Sequence, residues 1–506
     1  MQEPAVGRER ATRGEVFLEL TRSICPVCKA VIDAEVNARD GRIIMSKRCP
    51  EHGDFEALVY SDADLYMAQA RFNKPGTLPL EFQTEIKDGC PLDCGLCPQH
   101  KQHACLGLIE VNSNCNLDCP ICFADSGHQP DGFSLTREQV GVMLDAFVAA
   151  EGEPEVVQFS GGEPTIHRDI VEFLEMARER GIKVVMLNTN GIRLARDKRF
   201  VKRLQEGPRP HIYLQFDGFE VDTHVAIRGR DLRDEKRRAL DNCAEAGLTV
   251  TLVAAIEPGV NEHEIGAIVR HGVEHPAVNS IVFQPVTHAG RHREFDPLSR
   301  LTNPDVMNAI AEQVPEWFQT SDFVPVPCCF PTCRSMTYAL VDEDGVIPFT
   351  RMLDADQHLD YLSNRVIPDD RLRTALEQMF SSGATPGAEQ ALLACQDCGI
   401  DLPKALEDLE AKVFMIAVQD FQDAYTLNVR QLMKCCIEQI TPDGRLIPFC
   451  AYNSVGYREQ VREQLSGVPV APVVPNAAPL QPLLRDTRYG SRTAAGGDGG
   501  RTNGHG

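Results

Sequence analysis

CNLDCPICF, residues 115–123, holds three cysteines in the pattern Cys-x3-Cys-x2-Cys and ends on an aromatic residue, Phe123. It directly follows LGLIEVN (106–112), an apolar run that reads as a buried strand. Three thiolates can hold three corners of a 4Fe-4S cube and leave the fourth iron open to a chelating ligand from outside the chain. A structural zinc would want a fourth protein ligand.

Working outward, the strand and its loop open a repeating pattern. SLTREQVGVMLDAFVAA predicts a helix, with Thr136 and Gln139 as a capping box. EVVQFS, KVVMLNT, HIYLQFD, LTVTLVAAI and NSIVFQPV read as further strands. Helices are expected at 169–180, 194–205, 233–246 and 261–272. Six strand–helix alternations with doubly buried runs predict a parallel sheet with helical crossovers. The fold class is α/β, and six units fit a partial (β/α)6 barrel better than a closed eight-stranded one. The polar clusters stand at strand ends: Gly161-Gly162-Glu163-Pro164, Asn188-Thr189-Asn190-Gly191, Gln215-Phe216-Asp217-Gly218, then Glu257, Gln284 and THAGR (287–291). Ligand sites of parallel barrels lie at that end.

The cysteine loop together with Gly-Gly-Glu-Pro, over roughly 106–290, resembles the radical S-adenosylmethionine superfamily. That resemblance implies Cys115, Cys119 and Cys122 as ligands of a catalytic 4Fe-4S cluster. It implies S-adenosyl-L-methionine on the open iron, with its amino group held by Gly161, Gly162 and Glu163. Asn188, Asn190, Gln215 and Asp217 become candidates for ribose or carboxylate contacts. Reductive cleavage would release a 5′-deoxyadenosyl radical that takes hydrogen from an unactivated C–H. An electron donor such as ferredoxin or flavodoxin is implied as a partner.

Nineteen cysteines occur, and all but Cys243 fall in tight groups. In a reducing compartment such groups are read as metal ligands. Cys243 reads as a small buried hydrophobe in a helix. CPLDCGLCPQH (90–100) repeats the three-cysteine spacing without a following Gly-Gly-Glu. Cys90, Cys94 and Cys97, with Cys105 as expected fourth ligand and His100 and His103 between, read as an auxiliary cluster or a zinc knuckle. Cys25, Cys28, Cys49 and His52 have zinc-ribbon or rubredoxin spacing, open to mononuclear Fe or Zn. Eight thiols follow the barrel: Cys328, Cys329, Cys333, Cys395, Cys398, Cys435, Cys436 and Cys450. One further cluster needs four of them. DGVIPFT (344–350) echoes DGRLIPFC (443–450), each after a Cys-Cys pair, and each predicts a hairpin.

The layout over about 20–455, from CPVC through CPLDCGLCPQH to KCCIEQITPDGRLIPFCAYN, resembles a subgroup holding class D pterin methylases and tetraether lipid synthases. The working expectation is carbon–carbon bond formation at an unactivated carbon of a lipid chain. The alternatives are methylation of a small heterocycle such as a pterin, or a non-enzymatic multi-cluster electron carrier. The segment 411–429 is apolar enough to wall a channel, but reads first as an ordinary core helix.

A net charge of −22 argues against a nucleic-acid partner. No signal peptide or membrane-spanning run is evident, so a cytoplasmic location is expected, with peripheral membrane contact only if the substrate is a lipid. The expected divisions are a metal-binding region (1–80) with little periodic structure, an auxiliary segment (81–105), the barrel (106–325), a cysteine-rich domain (326–460) and a disordered tail (461–506).

Overall fold

The computed structural model describes residues 14–128, 132–292, 295–326, 329–342, 345–351 and 412–466. Cys328, Cys395 and Cys398 lie outside the described residues, as does the tail from 467.

The N-terminal region is more ordered than its sequence suggested. Glu15–Ile24 (β1), Val31–Arg39 (β2), Arg42–Cys49 (β3) and Gly53–Tyr60 (β4) form an antiparallel sheet in sequential order. One face buries Val36, Ile43, Met45 and Tyr60. Alternation along these strands is irregular, with register shifts in the β1–β2 and β3–β4 pairs, which hid the period of two.

The barrel follows the expected order. Leu106–Glu110 (β5), Val156–Ser160 (β6), Val184–Thr189 (β7), His211–Gln215 (β8), Val250–Ile256 (β9) and Val278–Pro285 (β10) pair in parallel, each with the next. All five residues of β6 are buried, as a strand covered on both faces requires. Each fully buried Val or Phe in such a layer contributes roughly 1.5–3 kcal/mol of transfer free energy. The helix Arg137–Glu151 starts on the expected capping box, with Gln139 N donating to Thr136 Oγ1 at 3.2 Å and Thr136 N to Gln139 Oε1 at 2.8 Å. Cys243 is fully buried in the helix Arg233–Glu245.

The C-terminal segment does not make a sheet of its own. Its strands are Val324–Pro325 (β11), Arg334–Asp342 (β12), Gly345–Pro348 (β13), Lys412–Gln419 (β14), Ile437–Ile440 (β15) and Leu446–Pro448 (β16). β14 runs parallel to β10, with β12 antiparallel beyond it. β15 runs parallel to β5 at the other edge. Both expected hairpins, β12–β13 and β15–β16, are present. They extend opposite edges of the barrel sheet, so residue 326 marks no break in it.

Two further expectations are corrected. The segment 411–429 begins as strand β14, because its run Val413–Val418 is apolar on both faces and lies between two strands. The helix Tyr457–Ser466 carries order past residue 460, where the tail was expected to begin. Among the described residues no helix is long and apolar enough to cross a membrane.

Candidate active site

The loop after β5 is fastened from three sides. Cys115 N donates to Gly127 O at 2.9 Å. Cys122 and Arg291 exchange backbone hydrogen bonds at 2.9 and 2.8 Å, and Arg291 Nη1 donates to Cys119 O at 2.8 Å. Gly290 makes that approach possible: at φ +64°, a Cβ there would lie 2.3 Å from Phe123 O. Arg458 Nη1 donates to Phe123 O at 2.7 Å, and the same guanidinium pairs with buried Glu110 at the end of β5, 2.7 Å away.

Cys115, Cys119 and Cys122 pack in one apolar group with Leu117, Ile192 and Leu232. Burial pushes the Cys115 thiol up to about 12, with Glu163 and the other two thiols adding to it. Burial also raises Cys119, partly offset by Arg228. Three thiolates in such surroundings require a cationic centre among them. Three thiol donors in apolar walls fit a cluster with one open corner; a further thiol, Cys450, lines the same cavity from the C-terminal segment.

Gly161 and Gly162 let the second loop lie against the first. A Cβ on Gly161 would stand 2.4 Å from Asn112 O, and one on Gly162 would stand 2.1 Å from Asn114 O. Glu163 does not present its carboxylate to the cavity as a free acceptor. It is 1% exposed and accepts from Thr165 N, Thr165 Oγ1, Thr189 Oγ1 and Asn190 N at 3.1, 2.5, 2.7 and 2.8 Å. Burial raises its pKa, while these four donors oppose the rise. The carboxylate therefore ties the ends of β6 and β7 together.

Asn188, Asn190 and Gln215 line the same cavity as the three thiols and the Gly-Gly-Glu turn. Asn188 Nδ2 donates to Ser160 Oγ, and Gln215 Nε2 donates to Asn188 Oδ1, each at 3.1 Å. Asp217 does not reach that wall. It is fully buried and bound by Arg228 at 2.6 and 2.7 Å, so it has no carboxylate edge to offer a ligand.

Sequence reasoning missed Arg228, Arg291 and Lys236, whose Nζ donates to Asn190 O at 2.8 Å. It also missed the wall brought by the C-terminal segment, with Gln419, Phe421, Gln422, Phe449 and Asn453 on the cavity. Phe449 packs with tilted rings against both Phe123 and Phe421, at 5.5 and 4.9 Å between centroids. THAGR, noted only as polar, was the signal for Arg291; the others carried none.

In the N-terminal sheet, Cys25, Cys28, Cys49 and His52 bring their ligand atoms within 4.8 Å of one another. A hydrogen bond from His52 lowers the Cys49 pKa to about 6. These are the donors and dimensions of a mononuclear site. Cys90, Cys94 and Cys97 line a small second cavity with His100. The expected fourth partner, Cys105, is not in its wall. Leu106 N donates to Cys436 O at 3.1 Å, which sets Cys105 at the β5–β15 seam, and Cys105 packs instead with Cys329 and Cys436. Cys436 and Cys329 have their sulfurs 3.5 Å apart. Cys333 accepts from Gln431 Nε2 at 2.8 Å, and Cys450 accepts from Gln422 N at 3.3 Å. Burial and the neighbouring Glu438 raise Cys435.

The sequence matches known families. The Radical SAM superfamily description fits residues 109–272, and that of an HMPTM N-terminal zinc ribbon domain fits 17–61. The 7,8-dihydro-6-hydroxymethylpterin dimethyltransferase of Methanocaldococcus jannaschii is 34% identical, over 88% of this chain and 95% of its own length. The Fe-coproporphyrin III synthase of Methanosarcina barkeri is 32% identical over 34% of this chain and 40% of its own. Streptococcus suis SuiB bound to S-adenosylmethionine aligns with a TM-score of 0.36 at 16% identity, over 42% of this chain and 48% of that one. The chain is a radical SAM enzyme, and within that superfamily it belongs to the family of the M. jannaschii dimethyltransferase.

Proposed function

We propose that this enzyme methylates a carbon of a reduced, pterin-like heterocycle. The observation that carries this is the end-to-end likeness to a pterin dimethyltransferase, zinc ribbon included. Nothing in the likenesses favours the joining of lipid chains, which stood as the first expectation. The cavity supports the heterocycle. Its floor is apolar, with Leu106, Leu108, Val282 and Met415, yet Gln158, Gln284 and Gln419 come to the same wall. Amides suit the N–H and C=O edges of a flat heterocycle, and Gln419 Oε1 is buried with no hydrogen-bond partner among the described residues.

In this reading Cys115, Cys119 and Cys122 hold the catalytic cluster. Bound together, the cluster and S-adenosyl-L-methionine supply the one-electron chemistry that activates a C–H bond. The chain contributes position and dryness. The backbone of Gly161 and Gly162 lies against the cluster loop, where it can receive the cofactor's amino group, and Glu163 holds that turn in shape. Asn188, Asn190 and Gln215 contact the nucleoside or carboxylate. Asp217 acts through Arg228, which reaches the Cys119 thiol. Cys25, Cys28, Cys49 and His52 hold a structural zinc, and the cysteines at 90–97 and beyond the barrel hold auxiliary clusters that relay electrons from an external donor of ferredoxin or flavodoxin type.

The test is the pterin pool of cells expressing the chain. Wild type should yield pterins carrying one or two extra carbon-bound methyl groups, and Cys119→Ala should not. Unchanged pterins alongside fused alkyl chains in the lipid extract would restore the lipid reading.

A further inference from the structure

The cavity walled by Cys90, Cys94 and Cys97 is built with care. Asp93 Oδ2 accepts from the backbone of Lys87, Asp88 and Gly89 at 2.7, 2.8 and 2.6 Å, closing the approach to the first cysteine. Tyr457 Oη donates to the Leu92 carbonyl at 2.7 Å and accepts from Cys94 N at 3.3 Å. Leu96, Leu432 and Met433 make the remaining walls apolar. Three thiols in such a space leave one coordination position to fill.

Two other cysteines come near in sequence or space, and neither fills it. Cys105 lies with Cys329 and Cys436. Cys435 turns its thiol to Ile437 O, 3.2 Å away, and is not in the cavity wall.

His100 is in that wall and 5% exposed. Its backbone N donates to Cys97 O at 2.8 Å, a turn that keeps it on the same cavity as the third cysteine. Its Nε2 lies 2.8 Å from the Cys435 carbonyl. A carbonyl only accepts, so Nε2 carries the proton and Nδ1 of the neutral ring carries a lone pair. Both polar contacts of the ring run through Nε2, to the Cys435 carbonyl and the Glu438 carboxyl. Behind the ring, Glu438 is fully buried with Oε1 3.4 Å from Nε2, and neither of its carboxyl oxygens has a hydrogen-bond partner among the described residues. A histidine that gives its distal N–H to a carbonyl or carboxyl is oriented as metal-binding histidines are.

We propose that His100 Nδ1 is the fourth protein ligand of the iron–sulfur centre held by Cys90, Cys94 and Cys97, with the Cys435 carbonyl and Glu438 orienting its ring. This rests on reading that triad as a cluster site. A neutral imidazole in place of a thiolate makes the cluster less negative and raises its potential. The centre is then easier to reduce than the same cluster held by four thiolates would be.

The experiment is pulsed electron paramagnetic resonance on the full chain, reconstituted anaerobically and reduced, without S-adenosyl-L-methionine so that no cofactor nitrogen contributes. The wild type should show a coordinated imidazole nitrogen that changes when histidine alone is isotopically labelled. The coupling should vanish in His100→Cys with iron content kept, and persist in Cys105→Ser. If His100→Cys takes up no iron, His100→Gln serves, and the labelled wild type carries the test without substitution. No histidine coupling in the wild type, or one that survives removal of His100, overturns the assignment. Iron content that is unchanged when Cys90, Cys94 and Cys97 are all replaced by alanine overturns the cluster reading itself.

Discussion

Arg228 grips Asp217 with two hydrogen bonds, Nε to Oδ2 at 2.6 Å and Nη2 to Oδ1 at 2.7 Å, in a place where Asp217 has no exposure. Burial alone would raise the Asp217 pKa, but the guanidinium overcomes it and holds the carboxyl below its usual range. The pair also fixes Gln215, whose Oε1 accepts from Arg228 at 2.8 Å. Arg228→Met strands a buried carboxylate and should cost about 3–5 kcal/mol, read by denaturant unfolding of the metal-free chain. Arg228→Met with Asp217→Leu should recover most of that. Because the Asp217 pKa is depressed, its contribution is present at neutral pH and is lost as pH falls through the folded value. Wild type should therefore lose more stability on acidification than the double variant; equal losses would deny the pair its role.

Glu163 satisfies four donors at once, so Glu163→Gln puts an N–H against at least one of them. Leaving one buried donor unmet costs about 1–3 kcal/mol. The expected result is an S-adenosyl-L-methionine Kd raised by about tenfold or more, since 1.4 kcal/mol is a factor of ten. Calorimetric titration reads it. An unchanged Kd would mean the turn keeps its shape without the carboxylate.

The C-terminal helix holds the three-cysteine loop. Arg458 spans Glu110 and Phe123 O, and Arg462 Nη2 donates to Ala124 O at 2.5 Å. Ending the chain after residue 455 should weaken iron retention at Cys115, Cys119 and Cys122 while leaving the N-terminal metal in place. Element analysis of the truncated and whole chains checks this. Equal retention would make the helix a mere cover.

Metal at Cys25, Cys28, Cys49 and His52 should depend on pH in a defined direction. The Cys49 pKa is lowered to about 6, so the thiolate is available above that value and is lost below it. Chelator titrations should show affinity falling as pH drops from 7 to about 5. Removing His52 should lower the affinity across that whole range, because the site loses one of its four donors.

The barrel was legible because its strands are buried on both faces and spaced by helices with readable caps. The three-cysteine loop and the Gly-Gly-Glu turn, which the structure brings onto one cavity, were legible because each is contiguous. Contacts between distant residues were not: nothing local couples Arg458 to Glu110, 348 positions away. Strand β14 was misread because a short apolar run has no period to distinguish strand from helix. Cys105 was misplaced because nearness in sequence was taken for nearness in space, while β5 starts at the next residue and carries it into another layer.

The most direct test of the whole account is anaerobic formation of 5′-deoxyadenosine by the reconstituted, reduced chain given S-adenosyl-L-methionine. The wild type should form it, and Cys119→Ala should form none while keeping the N-terminal metal and the auxiliary iron. A fully loaded wild type that makes no 5′-deoxyadenosine, or a Cys119→Ala variant that makes as much as wild type, would contradict the account.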